Sequence, residues 1–197
     1  MHLIKWHQFL KTGLPLNNKP ASVTIGVFDG VHRGHRALIG RVVSHNTEYT
    51  PVVFTFRENH KTGSREQRAE NKEQEDIQSF KERLAVFEKL GIEITVTIDF
   101  TEEFRRMPGI EFLKILLEHG KVGFFAVGSG FCCGYKLDTD AAAIYNFFNS
   151  RGIPAKIVPR VCYPANDLEN SQPISSSRIR AAIAAGNTEL AQAMLGA

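Results

Sequence analysis

The sequence predicts an α/β domain, a mainly parallel sheet of five strands with helices on both faces. Three observations predict it. Runs of β-branched and apolar residues recur along the chain, and helical patterns separate them. The runs also show little polar alternation, as strands covered on both sides require. With 197 residues, 43% hydrophobic and 23% charged, the chain has ordinary globular composition and enough length for a substantial core. Residues 1–197 are therefore expected to form one domain.

The first strand is expected in "SVTIGVF" (22–28), and "GHRALIGRVVSH" after it has a helical pattern, with a start near Gly34. "PVVFTF" (51–56) is the second strand. In "IQSFKERLAVFEKL", Ile77, Phe80, Leu84 and Phe87 share one face at helical spacing, and Gly91 stands just past the end. "IEITVTI" (92–98) is the third strand. "PGIEFLKILLEHG" starts at Pro108 and stops at Gly120, the residues suited to a helix's beginning and end. "KVGFFAVG" (121–128) and "AKIVPRV" (155–161) complete the sheet, with a helical segment around Ala141 to Ser150 between them. Two short helices, "SSSRIRAAIAAG" and "NTELAQAML", close the chain. Residues 57–76 depart in composition: they are polar and charged, with Ala69 the one aliphatic residue. This stretch reads as a solvated loop or as a lid over the carboxyl ends of the strands.

The formal net charge of +3 and a pI near 8.8 suit an anionic ligand. No basic run interleaved with aromatics points to nucleic acid, so no nucleic-acid partner is expected. No apolar run approaches membrane-spanning length, and "MHLIKWHQFLKTGLP" lacks the layout of a signal peptide. Cys132, Cys133 and Cys162 have no metal-ligand spacing, and their odd number does not suggest a disulfide framework. These features predict a soluble, cytoplasmic protein without a membrane partner, and they leave its oligomeric state open.

The chemistry concentrates in "TIGVFDGVHRGHRAL" (24–38), directly behind the first strand. In open α/β sheets the crevice outside the carboxyl ends of the strands is where ligands bind. Gly26, Gly30 and Gly34 let backbone approach a ligand without an intervening Cβ. Free N–H groups at the following helix start attract phosphate. His32 and His35, three apart, can both donate to phosphate oxygens and can carry charge near neutral pH. The G-x-x-x-x-G-K-[ST] pattern of a P-loop is missing. "SSSRIRAAIAAG" makes a second half-clamp, with serine hydroxyls, exposed N–H groups and Arg178 or Arg180 suited to a pyrophosphate.

"HRGH" fits the H-x-G-H signature of the nucleotidyltransferase superfamily. The longer "IGVFDGVHRGH" resembles one branch, the bacterial FAD synthetases, which form the FMN adenylyltransferase module of riboflavin kinase/FAD synthetases. "ISSSRIR" (174–180) resembles that family's I-S-S-T-x-I-R in spacing and order, and the likeness spans most of residues 20–197. The resemblance implies a Rossmann-like nucleotidyltransferase fold and transfer of AMP from ATP to FMN, giving FAD and pyrophosphate. It implies ATP and FMN as substrates, with Mg²⁺ bridging the phosphates. By the same likeness His32, His35, Arg180 and Ser176 are catalytic. Gly26, Val27, Phe28, Asp29, Gly34, Gly128, Ser177 and Arg178 line the nucleotide site, Ser177 standing in for the family's threonine. No metal-ligating side chain is expected.

Two stretches differ from the family. "TFRENH" (55–60) stands where T-F-x-P-H-P is usual, and "GSGFCCG" (128–134) puts Gly130 where an acidic or amide residue is usual. Both loops belong, by resemblance, to the flavin side. By the same resemblance, residues 1–197 are expected to hold no riboflavin kinase domain. Two alternatives therefore stand beside FAD synthesis: nucleotidyl transfer to another phosphorylated metabolite, and a non-catalytic nucleotide- or flavin-binding relative.

Overall fold

The computed structural model describes residues 1–57, 76–164 and 171–196. Its centre is a six-stranded sheet: β1 (His2–Lys5), β2 (Ala21–Gly26), β3 (Thr50–Phe56), β4 (Ile94–Ile98), β5 (Val122–Gly128) and β8 (Ala155–Val158). They lie in the order β1-β4-β3-β2-β5-β8, and every neighbouring pair is parallel. Five of these strands are the expected ones. The sixth, β1, pairs His2 with Ile94 through Lys5 with Thr97 and forms an edge. Two short ribbons stand outside the sheet: β6 (Cys132–Cys133) with β7 (Thr139–Asp140), and β9 (Cys162–Tyr163) with β10 (Gln172–Pro173).

Strand period 2 divides the core between the two faces. Val23, Ile25, Val52, Phe54, Phe125 and Val127 turn to one side, where Phe9, Phe112, Leu116, Ile144 and Phe148 cover them. Val53, Phe124 and Ala126 turn to the other, against Leu38, Ile39, Val42 and Phe87. Eleven apolar side chains of the first layer are fully or nearly fully buried; at about 1.5–3 kcal/mol each on burial, they supply the main drive for closing the sheet.

The helices follow their caps. The helix α1 (Trp6–Thr12) buries Phe9, and α2 (Arg33–Val43) follows β2. The next, α3 (Phe80–Lys89), begins later than the periodicity suggests. Ser79 accepts a hydrogen bond from Glu82 N, and Glu82 Oε2 accepts one from Ser79 N, a capping box that leaves Ile77 outside the helix. A short helix not expected from the sequence, α4 (Glu102–Arg106), precedes α5 (Gly109–Gly120). Gly120 remains helical, and the left-handed cap falls on Lys121 instead. The helix α6 (Ala141–Asn149) leads into β8, and α7 (Ser176–Ala184) pairs with α8 (Thr188–Leu195) over Ile179, Ala182, Ala191 and Met194. Of the 57–76 segment only Arg57 and Asp76 are described; the remainder, residues 58–75, lies outside the described residues, Glu58, Asn59 and His60 among them.

Candidate functional site

From β2 the chain proceeds outward through β3 to β4 on one side, then crosses back to place β5 on the other side of β2. That reversal opens a crevice at the carboxyl ends of β2 and β5. A cleft of about 910 Å³ lies there. Twelve of the residues singled out from the sequence line it: Gly26, Val27, Phe28, Asp29, His32, Gly34, His35, Gly128, Ser176, Ser177, Arg178 and Arg180. Gly30, expected to let backbone approach a ligand, does not, because the Ile77 side chain packs over it instead.

The β2–α2 turn is built around one inverted residue. Phe28 has φ 56°, a left-handed conformation uncommon for a bulky side chain, and its ring is buried. The ring folds back over the end of β2, where a Cβ on residue 26 would lie 3.1 Å from it. Glycine at 26 is what admits that fold-back. Phe28 then packs edge-on against Phe87 and His35, so it meets the cleft through backbone. Val27, by contrast, stays exposed.

His32 is the N-cap of α2, whose first residue, Arg33, comes one before the expected start at Gly34. Its Nδ1 accepts a hydrogen bond from His35 N at 3.3 Å, so the ring proton is assigned to Nε2. The two imidazoles stack with centroids 3.6 Å apart at 16°. Burial pushes His32 down to about 4, and burial, with the neighbouring His32 and Arg83, holds His35 well below its ordinary value. The expectation that these histidines carry charge near pH 7 therefore gives way: the rings are neutral donors.

Asp29 ties the site's two halves together. Its carboxylate pairs with the Arg180 guanidinium and accepts a hydrogen bond from Ile77 N at 3.0 Å, and its carbonyl accepts one from Ser176 Oγ at 2.8 Å. Ser175 caps α7 by accepting from Arg178 N. Two helix starts, those of α2 and α7, thus border one cleft and give it a positive character. Arg178 is directed elsewhere than expected: its Nη1 donates to the carbonyls of Tyr163 and Gln172 and holds the β9–β10 ribbon as a wall.

Beside the cleft lies a smaller apolar pocket of about 120 Å³, lined among others by Phe56, Phe100, Phe104, Met107, Phe131 and Cys133. Ile25, Val27 and Phe131 line both spaces, so they form the partition between them. Sequence reading missed most of this pocket, because aromatic residues at helical spacing look like ordinary core. It also missed Arg160, which lies over Gly130 so closely that a Cβ there would sit 2.6 Å from Nη2. The buried Arg83 was missed too, although an arginine amid Phe80, Leu84 and Phe87 is itself a signal.

The FAD synthetase family model matches residues 14–178. The bifunctional riboflavin kinase/FMN adenylyltransferase of Escherichia coli (strain K12) is 29% identical over 176 residues, covering 88% of this chain and 53% of that protein. The FAD synthetase of Listeria monocytogenes is 26% identical over 180 residues, 91% of this chain and 70% of that one. The chain spans about half the length of the bifunctional relatives it matches first. A crystal structure from Streptococcus pneumoniae, described as a macrolide-efflux protein, superposes with a TM-score of 0.78 at 26% identity, covering all of this chain and 60% of that one. The α/β fold is thus shared with a solved structure. Among the described residues no helix is long and apolar enough to cross a membrane.

Proposed function

The chain belongs to the FAD synthetase family, and on that premise we propose that it transfers the AMP part of ATP to FMN, giving FAD and pyrophosphate. The observation that carries the reading is the adjacency of an anion-binding cleft and an apolar pocket across the single partition of Ile25, Val27 and Phe131. A triphosphate suits the first, a planar ring system the second, and the reacting phosphates meet at the partition.

In the transfer, a phosphate oxygen of FMN attacks the α-phosphorus of ATP. The bond from that phosphorus to the bridging oxygen of the β-phosphate breaks, and the electron pair leaves with pyrophosphate. No covalent enzyme intermediate is needed, so positioning and charge stabilisation supply the catalysis. Neutral His32 and His35 donate hydrogen bonds to phosphate oxygens without transferring a proton. The N–H groups at the starts of α2 and α7, with Ser177, hold the departing pyrophosphate. Arg180 and Ser176 shape that end of the cleft through Asp29. Mg²⁺ would be held chiefly by the triphosphate's own oxygens, as part of the substrate, and would neutralise its charge.

The test is direct. Purified protein with FMN, ATP and Mg²⁺ should form FAD and pyrophosphate, and His32→Ala should lower the rate by about 10²–10³-fold, the scale for one lost donor to developing charge. Absence of FAD above that variant's level refutes the reading.

One observation favours a second reading. The apolar pocket, at about 120 Å³, is below the roughly 300–1,000 Å³ of most small-molecule sites. A flavin ring needs exposed lining residues such as Cys132 and Leu137 to give way, whereas a phosphorylated acceptor with a smaller ring does not. A thermal-shift panel of phosphorylated acceptors in the presence of ATP separates the two, with FMN stabilising most under the first reading.

A further inference from the structure

Arg83 is the largest fully buried side chain among the described residues, and nothing in the transfer chemistry above uses it. Its guanidinium forks between two strand ends. One arm, Nη1, donates to the carbonyl of Val27, just past the end of β2; the other, Nη2, donates to the carbonyl of Arg57, just past β3, at 3.0 Å. Thr55 Oγ1 donates to the same Val27 carbonyl at 3.2 Å. These carbonyls lie beyond the β2–β3 ladder, whose last pair is Gly26 with Thr55. The ladder gives them no cross-strand N–H, so without Arg83 the Val27 carbonyl keeps only the Thr55 hydroxyl and the Arg57 carbonyl loses this donor.

As packing, this arrangement is expensive. Nε is buried without a partner, and burial holds the guanidinium below its ordinary basicity. A leucine or methionine would fill an apolar helix face at less cost in desolvation. What the fork supplies instead is geometry: a planar, two-armed donor fixes two carbonyls at once, which an ammonium group cannot do. One of those carbonyls belongs to Val27, the residue that separates the phosphate cleft from the apolar pocket.

We propose that Arg83 is a positioning residue for the transfer: by fixing the Val27 and Arg57 carbonyls it sets how the two substrates face each other across the partition. This rests on the FMN–ATP reading. Each half-site keeps its own residues when Arg83 is changed, so affinity for either substrate alone is preserved. What is lost is alignment of the attacking oxygen with the α-phosphorus, where an error near 1 Å reduces rate by about 10²-fold.

The experiment compares wild type, Arg83→Lys and Arg83→Met by steady-state kinetics, with melting curves of each to count folded molecules. In Arg83→Lys the single amine reaches one carbonyl at a time. The expected result is kcat per folded molecule down by about 10²-fold, with KM for ATP and for FMN within about 3-fold of wild type. Arg83→Met, which removes both donors, should be no more active than Arg83→Lys. Wild-type kcat in Arg83→Lys, or a loss explained wholly by fewer folded molecules or by one substrate's KM, overturns the inference while leaving the FMN–ATP reading intact. No turnover by wild type refutes that reading and this inference with it.

Discussion

Acid should destabilise this fold through His32, and replacing that residue should remove the effect. In the unfolded chain its imidazole takes up a proton near pH 6.5, whereas burial in the folded turn lowers that value to about 4. Between these values the unfolded state binds a proton that the native state does not, so stability rises with pH and is lost as pH falls from 6.5 toward 4. Across the roughly 2.5 pH units involved, at ~1.36 kcal/mol each, His32 alone accounts for about 3 kcal/mol. His35 is depressed in the same direction and steepens the slope. The informative variant is His32→Asn. Asparagine is a favoured N-cap whose side-chain oxygen can accept from His35 N, as Nδ1 does now, yet it cannot titrate. Urea unfolding of both proteins at several pH values between 4.5 and 7.5 gives the comparison. At pH 7.5 they should agree within about 1 kcal/mol, and toward acid the wild type should lose about one proton's worth of slope more than the variant. If the two proteins show the same pH dependence, His32 is not held neutral by the fold, and the assignment of neutral donors fails.

Three other outcomes follow from the same geometry. In Gly34→Ala the new Cβ would lie 3.1 Å from His32 Cε1, inside α2; the helix gains up to about 1 kcal/mol, while the displaced imidazole lowers kcat by about 10-fold, part of the loss expected when a donor is removed. A variant both as stable and as active as wild type refutes that steric role. Asp29→Asn breaks the buried pair with Arg180 and should cost roughly 3 kcal/mol in urea unfolding. In an Arg180→Met background the same change should cost much less, and an undiminished cost means the two do not couple. Cys133→Phe fills the apolar pocket, so KM for FMN should rise by at least about 10-fold with KM for ATP unchanged; equal effects on both would show that the two spaces are not separate substrate sites.

What was legible in the sequence is what is local. The β2–α2 turn carries its glycines, histidines and aspartate within a few residues, and the same holds for the serines that open α7. Strands β2 to β5 and β8 announce themselves as apolar runs. Edge strand β1 does not: "HLIK" is four residues of mixed polarity, largely exposed, and its ladder with β4 rather than its own pattern makes it a strand. The pairing of Asp29 with Arg180 spans 151 positions, and Arg83 meets the Val27 carbonyl across 56, so neither leaves a mark in any short window. The charge state of the histidines is equally tertiary. The residue type supplies the ordinary value, and only packing against Phe28 and each other supplies the desolvation that lowers it.

Neutral histidines change what attracts the triphosphate. A charged pair at the turn would draw any polyanion, pyrophosphate included, and would hold the product as firmly as the substrate. With the rings uncharged, attraction falls to the two helix starts, whose partial charges are modest and fixed in direction, and to arginines of the cleft wall such as Arg160. The histidines then contribute by hydrogen bonds that depend on where the phosphate oxygens stand, which discriminates geometry rather than net charge. Such a site is only as good as the placement of its partition. Val27 is held from behind by Thr55 and Arg83, and its neighbour Phe28 is locked in a left-handed conformation under Phe87 and His35. The strained and expensive features of this protein, an inverted phenylalanine and a buried arginine fork, therefore converge on two consecutive residues. Of these two, Val27 stands between the anion cleft and the apolar pocket, where a sub-ångström error has its largest effect on an in-line displacement.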